Sequence, residues 1–146
     1  MKFIIAAGVD GVGKSSLLGV LKCYYTHYLE TTLDENWIEC FFQHVRAKGY
    51  TVRLCYIGLN SAEESVKRIQ NRVAMGGHNI DQADVNRRFA KRFDDLAKIL
   101  PYSDEAVFYD NQSGFTAVGE YANGRIIEKG EKTPDWLSAL ANKVNR

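Results

Sequence analysis

The stretch Gly8-Val9-Asp10-Gly11-Val12-Gly13-Lys14-Ser15 fits the pattern G-x-x-x-x-G-K-[ST] of a phosphate-binding loop, or P-loop. The apolar run at residues 3–7 precedes it and is typical of a buried strand, and apolar residues within 17–21 follow it at a helical spacing. Strand, loop and helix in this order are the context that the motif requires, so a chance match in a glycine-rich turn is disfavoured. The stretch therefore predicts an α/β fold built around a phosphate site.

Residues of the loop have separate expected roles in binding ATP and Mg²⁺. Gly8 and Gly13 let the backbone bend tightly and approach a ligand, and the amides of residues 11–15 form a nest for an anion. Lys14 is expected to reach the β- and γ-phosphates, and the Ser15 hydroxyl to bind the magnesium ion. The predicted nucleotide-binding residues are Gly8, Asp10, Gly11, Val12, Gly13, Lys14, Ser15 and Ser16.

Size and composition predict one domain over residues 1–146, with 45% apolar and 25% charged residues, which is ordinary for a globular protein. A net charge of +1 offers no bulk signal for binding nucleic acid or a membrane surface. The three cysteines are odd in number and lack metal-ligand spacing, which predicts reduced thiols in the core of a cytoplasmic protein. The N-terminal apolar run leads directly into the P-loop, so we interpret it as a core strand and not as a signal peptide.

Strands and helices are expected to alternate along the chain. The expected elements are strand 2–7, helix 14–24, strand 28–33, helix 35–48 capped by Asp34, strand 51–57, helix 61–73 capped by Ser61, helix 81–100 capped by Asp81 or Asp84, strand 105–110, a hairpin of 115–121 with 125–129, and a C-terminal helix capped by Thr133. This order predicts a three-layer α/β fold with a mainly parallel sheet, plus a C-terminal β-hairpin and helix.

Arginines flank a glycine-rich loop in the middle of the chain. Arg72 precedes Gly76-Gly77-His78, and Arg87 and Arg88 follow it. A run of basic residues is usually a solvated helix face, but next to a P-loop it favours a lid over residues 72–92 whose arginines hold phosphate oxygens. We therefore predict catalytic roles for Arg72, Arg87 and Arg88 beside Lys14. His78 is expected either to contact phosphate or substrate or to make a structural hydrogen bond.

Acidic residues offer several alternatives. Glu30, at the carboxyl end of a predicted parallel strand, is able to bind a substrate hydroxyl, orient magnesium, accept a proton or simply face solvent. Asp10 is expected to affect the metal site or to face solvent. Asp110-Asn111 either contacts the nucleotide base or caps a turn, and we favour the turn. Many P-loop ATPases place an acidic residue after a second apolar strand, where it positions magnesium, but here the strand ending at residue 57 is followed by Gly58-Leu59-Asn60. The guanine-binding sequence Asn-Lys-x-Asp is also missing. Both observations favour a small-molecule kinase over a motor protein or a GTPase.

Four places in the chain together resemble the zeta-toxin-like family of P-loop kinases. They are Gly8 to Ser15, Glu30-Thr31-Thr32-Leu33, Arg72-Val73-Ala74-Met75-Gly76-Gly77-His78 with Arg87-Arg88-Phe89, and Tyr109-Asp110-Asn111. The resemblance covers residues 1–25 and 28–130, and it implies an enzyme that phosphorylates UDP-N-acetyl sugars with ATP and has an antitoxin protein as a candidate partner. It also implies that Lys14 and Ser15 hold the phosphates and magnesium. The substrate side would be formed by Glu30, by Thr31 or Thr32, and by His78. Arg72, together with Arg87 or Arg88, would bind the phosphates.

The chain departs from the family between Tyr24 and Tyr28. The family it resembles has a few tens of residues there, which hold a further strand and the aspartate that acts as general base. Here residues 22–26 pass almost directly into the Glu30 strand, and no matching aspartate exists. Two functions therefore stay open, a kinase and a nucleotide-binding protein without kinase activity, and nucleic-acid binding through the basic residues of 67–92 ranks third.

Overall fold

A computed structural model describes residues 1–77, 79–111 and 114–145. The strands are β1 (Lys2–Ala7), β2 (Tyr28–Thr31), β3 (Thr51–Gly58), β4 (Glu105–Asn111), β5 (Phe115–Ala122) and β6 (Arg125–Glu128). The helices are α1 (Lys14–Leu21), α2 (Ile38–Ala47), α3 (Ala62–Ala74), α4 (Gln82–Ile99) and α5 (Asp135–Val144), with a 3₁₀ turn at Leu100–Tyr102.

The strands form one sheet in the order β2-β1-β3-β4-β5-β6. The first four strands are parallel, and β5 and β6 return antiparallel as the predicted hairpin, with both Asn123 and Gly124 at positive φ in its turn. The register pairs Ala7 with both Thr31 and Tyr56, so the carboxyl ends of β1, β2 and β3 lie at one edge of the sheet. Ligands of open α/β sheets bind at such an edge.

Each face of the sheet carries its own apolar core, which produces three layers. Alternation along β1 directs Ile4 and Ala6 to the face covered by α1, and Ile5 and Ala7 to the face covered by α2, α4 and α5. The predicted α/β fold with a mainly parallel sheet, a hairpin and a C-terminal helix is confirmed. Over the described ranges, none of the helices combines the length and apolar character needed to cross a lipid bilayer.

The P-loop helix is shorter than expected. It ends at Leu21 and not near Tyr24, because the amides of Cys23 and Tyr24 bond to carbonyls three residues back, which is a tight turn. The early end leaves residues 22–27 to reach β2, which pairs directly with β1. A short helix thus relieves the tight connection that the sequence implied.

The start of α2 and its predicted cap are both wrong. The helix begins at Ile38 and not at Glu35, and the Asp34 side chain caps no helix. Leu33 adopts a left-handed backbone with φ of +66° while its side chain lies buried in the core. This turn directs Asp34 toward Arg87 of α4, 53 residues away, and leaves Glu35 to accept from the Thr31 hydroxyl at the end of β2.

Other helix ends follow the sequence more closely. Ser61 caps α3 by accepting from the Glu64 amide, and Asp81 caps α4 by accepting from the Ala83 amide, as their positions predicted. The predicted cap of α5 is wrong, because Thr133 bonds to Glu128 instead. The Trp136 amide in the first turn of α5 is satisfied by the Asn60 side chain at 3.1 Å, a residue that lies 76 positions away in the sequence.

Candidate nucleotide-binding site

Glycines are required in the P-loop because other parts of the backbone and side chains come very close. A Cβ atom on Gly8 would lie 2.6 Å from the Ile57 carbonyl oxygen, and one on Gly13 would lie 2.7 Å from the Asn111 side-chain nitrogen. Gly13 is left-handed, with φ of +106°, and α1 starts at the next residue. The amides of the first helical turn therefore point out of the loop end, which is the arrangement that binds phosphate. Ser16 lies in this exposed first turn.

Side chains from α3 and β4 hold the loop carbonyls in place. Ser65, fully buried in α3, donates to the carbonyl of Asp10. Arg68 donates to the carbonyls of Val12, at 3.3 Å, and of Asn111, and the Asn111 amide nitrogen donates to Val12 at 3.1 Å. Sequence reasoning missed Ser65 and Arg68, because a serine and one arginine of a basic stretch carry no local signal for this contact.

Asp110 and Asn111 both make long-range side-chain hydrogen bonds, while residues 112 and 113 of the predicted turn that follows them lie outside the described part of the chain. Asn111 supports the P-loop carbonyl, and Asp110 accepts from the Trp136 indole nitrogen at 3.0 Å. Among the described hydrogen bonds, neither side chain caps a turn. Asn111 thus connects the end of β4 to the P-loop, and Asp110 connects it to α5.

The Lys14 side chain folds back over the loop. Its Nζ donates to the Val9 carbonyl at 3.0 Å, and only 9% of the residue is exposed. Burial lowers the pKa of Lys14, and this effect outweighs the opposing effect of nearby negative charges. Those charges, in order of their effect, are on Asp10, Glu30 and Glu35, and the charge on Arg72 lowers the pKa further. One lysine is therefore surrounded by three carboxylates and an arginine from separate parts of the chain.

Ser15 and Glu30 meet between α1 and β2. The Ser15 hydroxyl lies 2.9 Å and 2.8 Å from the two carboxylate oxygens of Glu30. The hydroxyl and the carboxylate offer hard oxygen ligands, the type that Mg²⁺ prefers. In the described part of the chain, no group of three or more His, Cys, Asp and Glu side chains is arranged to hold a metal. A magnesium site here would therefore rely on these two residues together with phosphate and water oxygens.

The Arg88 side chain connects α4 with the P-loop. Its guanidinium lies 3.1 Å and 3.2 Å from the carboxylate oxygens of Asp10, which is only 5% exposed. Of the two alternatives for Asp10, the solvent-facing one is therefore wrong. The same guanidinium reaches Asp34 through its Nε at 3.3 Å, so Arg88 joins the carboxylates of Asp10, which follows β1, and Asp34, which follows β2.

Asp34 accepts from three cations of α4. Lys91 lies 2.9 Å away, Arg87 3.1 Å and Arg88 3.3 Å. The hydrogen bond from Lys91 and the contacts from Arg87 lower the pKa of Asp34 although its partial burial opposes them. Arg87 is half exposed and also approaches Asp84 at 3.5 Å, so it contacts Asp34 and not the P-loop itself.

Arg72 comes close to the P-loop lysine from the end of α3. Its positive charge contributes to the lowered pKa of Lys14. Gly77 packs directly on the aliphatic part of Arg72, since a Cβ atom at that position would overlap it. His78 lies outside the described residues, so its predicted substrate contact stays a prediction.

Thr31 and Glu35 form a pair at the end of β2. The Thr31 hydroxyl accepts from the Leu33 amide at 2.9 Å and donates to a Glu35 carboxylate oxygen at 2.6 Å. Thr31 is buried and Thr32 is half-buried. Sequence reasoning assigned Glu35 to a helix and missed its place here, which follows from the turn at Leu33.

No protein-family model matches the chain. An uncharacterized protein of Haemophilus influenzae is 38% identical over 61 residues, which amount to 42% of this chain and 44% of that protein. The match thus spans less than half the length of this curated relative.

Two solved structures are similar to the chain over most of its length. A structure of the PezAT chromosomal toxin–antitoxin system of Streptococcus pneumoniae superposes with a TM-score of 0.61 at 14% identity, over 82% of this chain and 72% of that chain. A structure of AvrRxo1-ORF1:-ORF2 with ATP superposes with a TM-score of 0.65 at 12% identity, over 99% of this chain and 63% of that chain. Identities this low establish likeness of fold alone. The chain therefore shares its fold with these two structures, and a likeness to a toxin-system structure agrees with the resemblance in the sequence.

Proposed function

We propose that the protein is an ATP-dependent kinase that transfers the γ-phosphate to a hydroxyl group of a small molecule, with a UDP-N-acetyl sugar as the first acceptor to test. The observation that carries this proposal is the convergence on Lys14. The Ser15–Glu30 pair, the Arg88–Asp10 pair and the charge of Arg72 all lie around this lysine, at the carboxyl edge of the sheet.

Binding of ATP would use the loop amides and Lys14. The phosphates would replace the Val9 carbonyl as the hydrogen-bond acceptor of Lys14 Nζ. The buried ammonium would then bond to charged oxygens in place of a neutral carbonyl, and such hydrogen bonds are stronger. Ser15 and Glu30 would hold Mg²⁺ in this proposal, and a bound Mg²⁺ supplies positive charge against the β- and γ-phosphate oxygens. Glu30 would therefore lie on the metal side of the reaction, while Thr32 stays the candidate of the Glu-Thr-Thr run that contacts the acceptor.

Arginines of the proposed lid, residues 72–92, would stabilise the charge on the transferring phosphoryl group. Arg88 already lies beside the P-loop, so a small exchange of its partner from Asp10 to a phosphate oxygen is sufficient. Arg72, in the last turn of α3, would contribute a second positive charge to the same phosphoryl group. Phosphoryl transfer depends mainly on positioning and charge, which is what this arrangement of rigid helices and loop supplies.

Similar structures support the broader parts of the proposal. The AvrRxo1 structure contains ATP, and PezAT is a toxin–antitoxin system, so ATP as cofactor and an antitoxin protein as partner are extended here to this chain. The UDP-sugar acceptor rests on the family resemblance of the sequence. We also propose that the protein acts as a single domain in the cytoplasm, and that it binds neither nucleic acid nor a membrane.

A phosphotransfer assay tests the proposal. Wild-type protein, Lys14→Ala and the exposed control Lys48→Ala are incubated with γ-labelled ATP, Mg²⁺ and UDP-N-acetylglucosamine. We expect label in the sugar nucleotide with wild type and the control, and none with Lys14→Ala. Equal turnover by Lys14→Ala would exclude this mechanism.

A nucleotide-binding protein without kinase activity is the second candidate. It is favoured by the short connection between α1 and β2, since residues 22–27 contain no carboxylate that would act as a base. Calorimetry that detects ATP binding, together with no label transfer to UDP-N-acetylglucosamine and no ATP hydrolysis, would favour this candidate over the kinase.

A further inference from the structure

We propose that Glu35 is the carboxylate that accepts the proton of the acceptor hydroxyl, an inference that rests on the kinase function proposed above. Transfer from ATP to an alcohol needs a group that takes this proton, placed next to the phosphates. Residues 22–27 supply none, so the carboxylates around Lys14 are the candidates.

Asp10 and Glu30 are already engaged in ways that suit other roles. Asp10 holds the Arg88 guanidinium against both of its carboxylate oxygens, at 3.1 Å and 3.2 Å. Glu30 receives the Ser15 hydroxyl on both of its oxygens and belongs to the proposed metal side. Glu35 is the remaining member of the three.

Glu35 is held in place by a neutral hydrogen bond. The Thr31 hydroxyl donates to its Oε2 at 2.6 Å, which fixes the carboxylate without the charge of a cation. This bond engages one of the two carboxylate oxygens and does not involve Oε1. One oxygen is thus oriented by the end of β2, while the other has capacity to accept a proton.

The backbone around Glu35 keeps it beside the end of β2 and outside α2. The left-handed Leu33 turns the chain out of β2, and the next two residues stay outside α2, which begins only at Ile38. Non-glycine residues rarely adopt this conformation, and such strain occurs often at functional sites. Thr31, whose hydroxyl holds Glu35, also accepts from the Gly8 amide through its carbonyl at 3.3 Å, so Glu35 is tied to the residue at which the P-loop begins.

The acceptor oxygen forms a bond to the γ-phosphorus of ATP, and its proton passes to Glu35 Oε1. The bond between the γ-phosphorus and the oxygen that bridges it to the β-phosphorus breaks, and ADP leaves with that electron pair. Glu35 then loses the proton to solvent, to which its half-buried side chain has access.

Variants of the full chain test this role. Glu35→Gln keeps the size of the side chain and removes its basicity, and Glu39→Gln, an exposed glutamate of α2 that accepts from the Tyr102 hydroxyl, is the matched control. Two rates are measured with γ-labelled ATP, transfer to UDP-N-acetylglucosamine and hydrolysis by water, so that the test does not depend on one acceptor. We expect both rates to fall by about 100-fold or more in Glu35→Gln, the usual effect of losing a general base, while ATP affinity stays within about threefold. Glu39→Gln is expected to keep wild-type rates.

Chemical rescue separates a base from a residue that only supports the loop. Formate added to Glu35→Ala is expected to restore the rate by about tenfold or more, because a small carboxylate can take the empty position and accept the proton. Formate is expected to have no effect on Lys14→Ala. If Glu35→Gln also loses ATP affinity, the formate experiment on Glu35→Ala distinguishes the two roles. A rate that formate does not restore would overturn the role of Glu35 as the base.

The remaining outcomes distinguish the two proposals. Wild-type rates in Glu35→Gln, with Lys14→Ala inactive, would overturn the role of Glu35 and leave the kinase function in place. Wild-type protein that binds ATP but neither transfers nor hydrolyses the γ-phosphate would overturn the kinase function, and the role of Glu35 with it.

Discussion

The Arg88 guanidinium on α4 lies 3.1 Å from the Asp10 carboxylate inside the P-loop, so the loop and the arginine helix are joined by one ion pair. Both groups are expected to lie next to the phosphates of bound ATP, where the cation attracts them and the carboxylate repels them. Asp10 therefore competes with the nucleotide for Arg88.

Asp10→Asn is expected to tighten ATP binding by about tenfold, equivalent to about 1.4 kcal/mol. The change removes a negative charge beside Lys14 and releases Arg88 for the phosphates. Isothermal titration calorimetry measures the affinity, with Asp94→Asn as control because that residue makes an exposed pair with Lys143 elsewhere on α4. Weaker binding by Asp10→Asn would contradict the competition and indicate that the carboxylate mainly shapes the loop.

Arg68→Met is expected to weaken ATP binding by about tenfold, because hydrogen bonds that involve a charged group contribute about 1.5–3 kcal/mol and Arg68 makes two to loop-side carbonyls. The methionine keeps the apolar length of the side chain on α3. Lys67→Met is the control, since the adjacent lysine is exposed. Equal affinity in the two variants would show that Asn111 and Ser65 hold the loop without Arg68.

Asp34→Asn is expected to lower the free energy of unfolding at pH 7 by about 1 kcal/mol, a modest value because the cations around Asp34 are half exposed. The pKa of Asp34 is lowered by its hydrogen bond from Lys91 and by Arg87. Its contribution is therefore present above the ordinary aspartate pKa of about 3.9 and is lost as the pH falls through the lowered folded value.

Urea denaturation of wild type and Asp34→Asn across this acidic range measures the difference. The two unfolding free energies are expected to converge as the pH falls. Asp84→Asn, which removes only the 3.5 Å contact with Arg87, is expected to match wild type throughout. A difference for Asp34→Asn that persists unchanged in acid would mean that lost packing, and not charge, is responsible.

Gly58→Ala is expected to lower the free energy of unfolding by about 1–3 kcal/mol, because its Cβ atom would overlap the buried ring of Trp136 and the core must shift. Gly19→Ala is the matched control. It lies inside α1 with nothing near its Cβ position, so it is expected to stabilise by about 0.5–1 kcal/mol. Thermal and chemical denaturation measure both, and an unchanged stability in Gly58→Ala would contradict the close packing.

Local patterns were sufficient for most of the fold. The Ser61 and Asp81 caps, the Asn123-Gly124 turn and the alternation along β1 each depend on residues within a few positions of one another, so they can be identified without tertiary information. The P-loop could likewise be identified from neighbouring residues alone. Its glycines, lysine and serine occupy one continuous stretch.

Features of the site that depend on distant partners could not be predicted in the same way. Asp34 has the position and side chain of a helix cap, but its partner Arg87 is 53 residues away and replaces that local role. Arg68 reaches a carbonyl 43 residues away, at Asn111. Glu35 is placed by the left-handed Leu33, a backbone state that nothing in the leucine side chain signals.

The position of β2 has a consequence for how the protein responds to heat. This strand has four residues, pairs only with β1 and forms the outer margin of the sheet. Segments with so few partners open at a lower free energy than the centre of a domain, and their backbone amides exchange hydrogen faster. Glu30 and Thr31 both belong to this strand, so their alignment with Ser15 and Glu35 should be lost at temperatures where β1, β3 and β4 are still intact. Local melting of one marginal strand, and not global unfolding, would then set the upper temperature limit of the site.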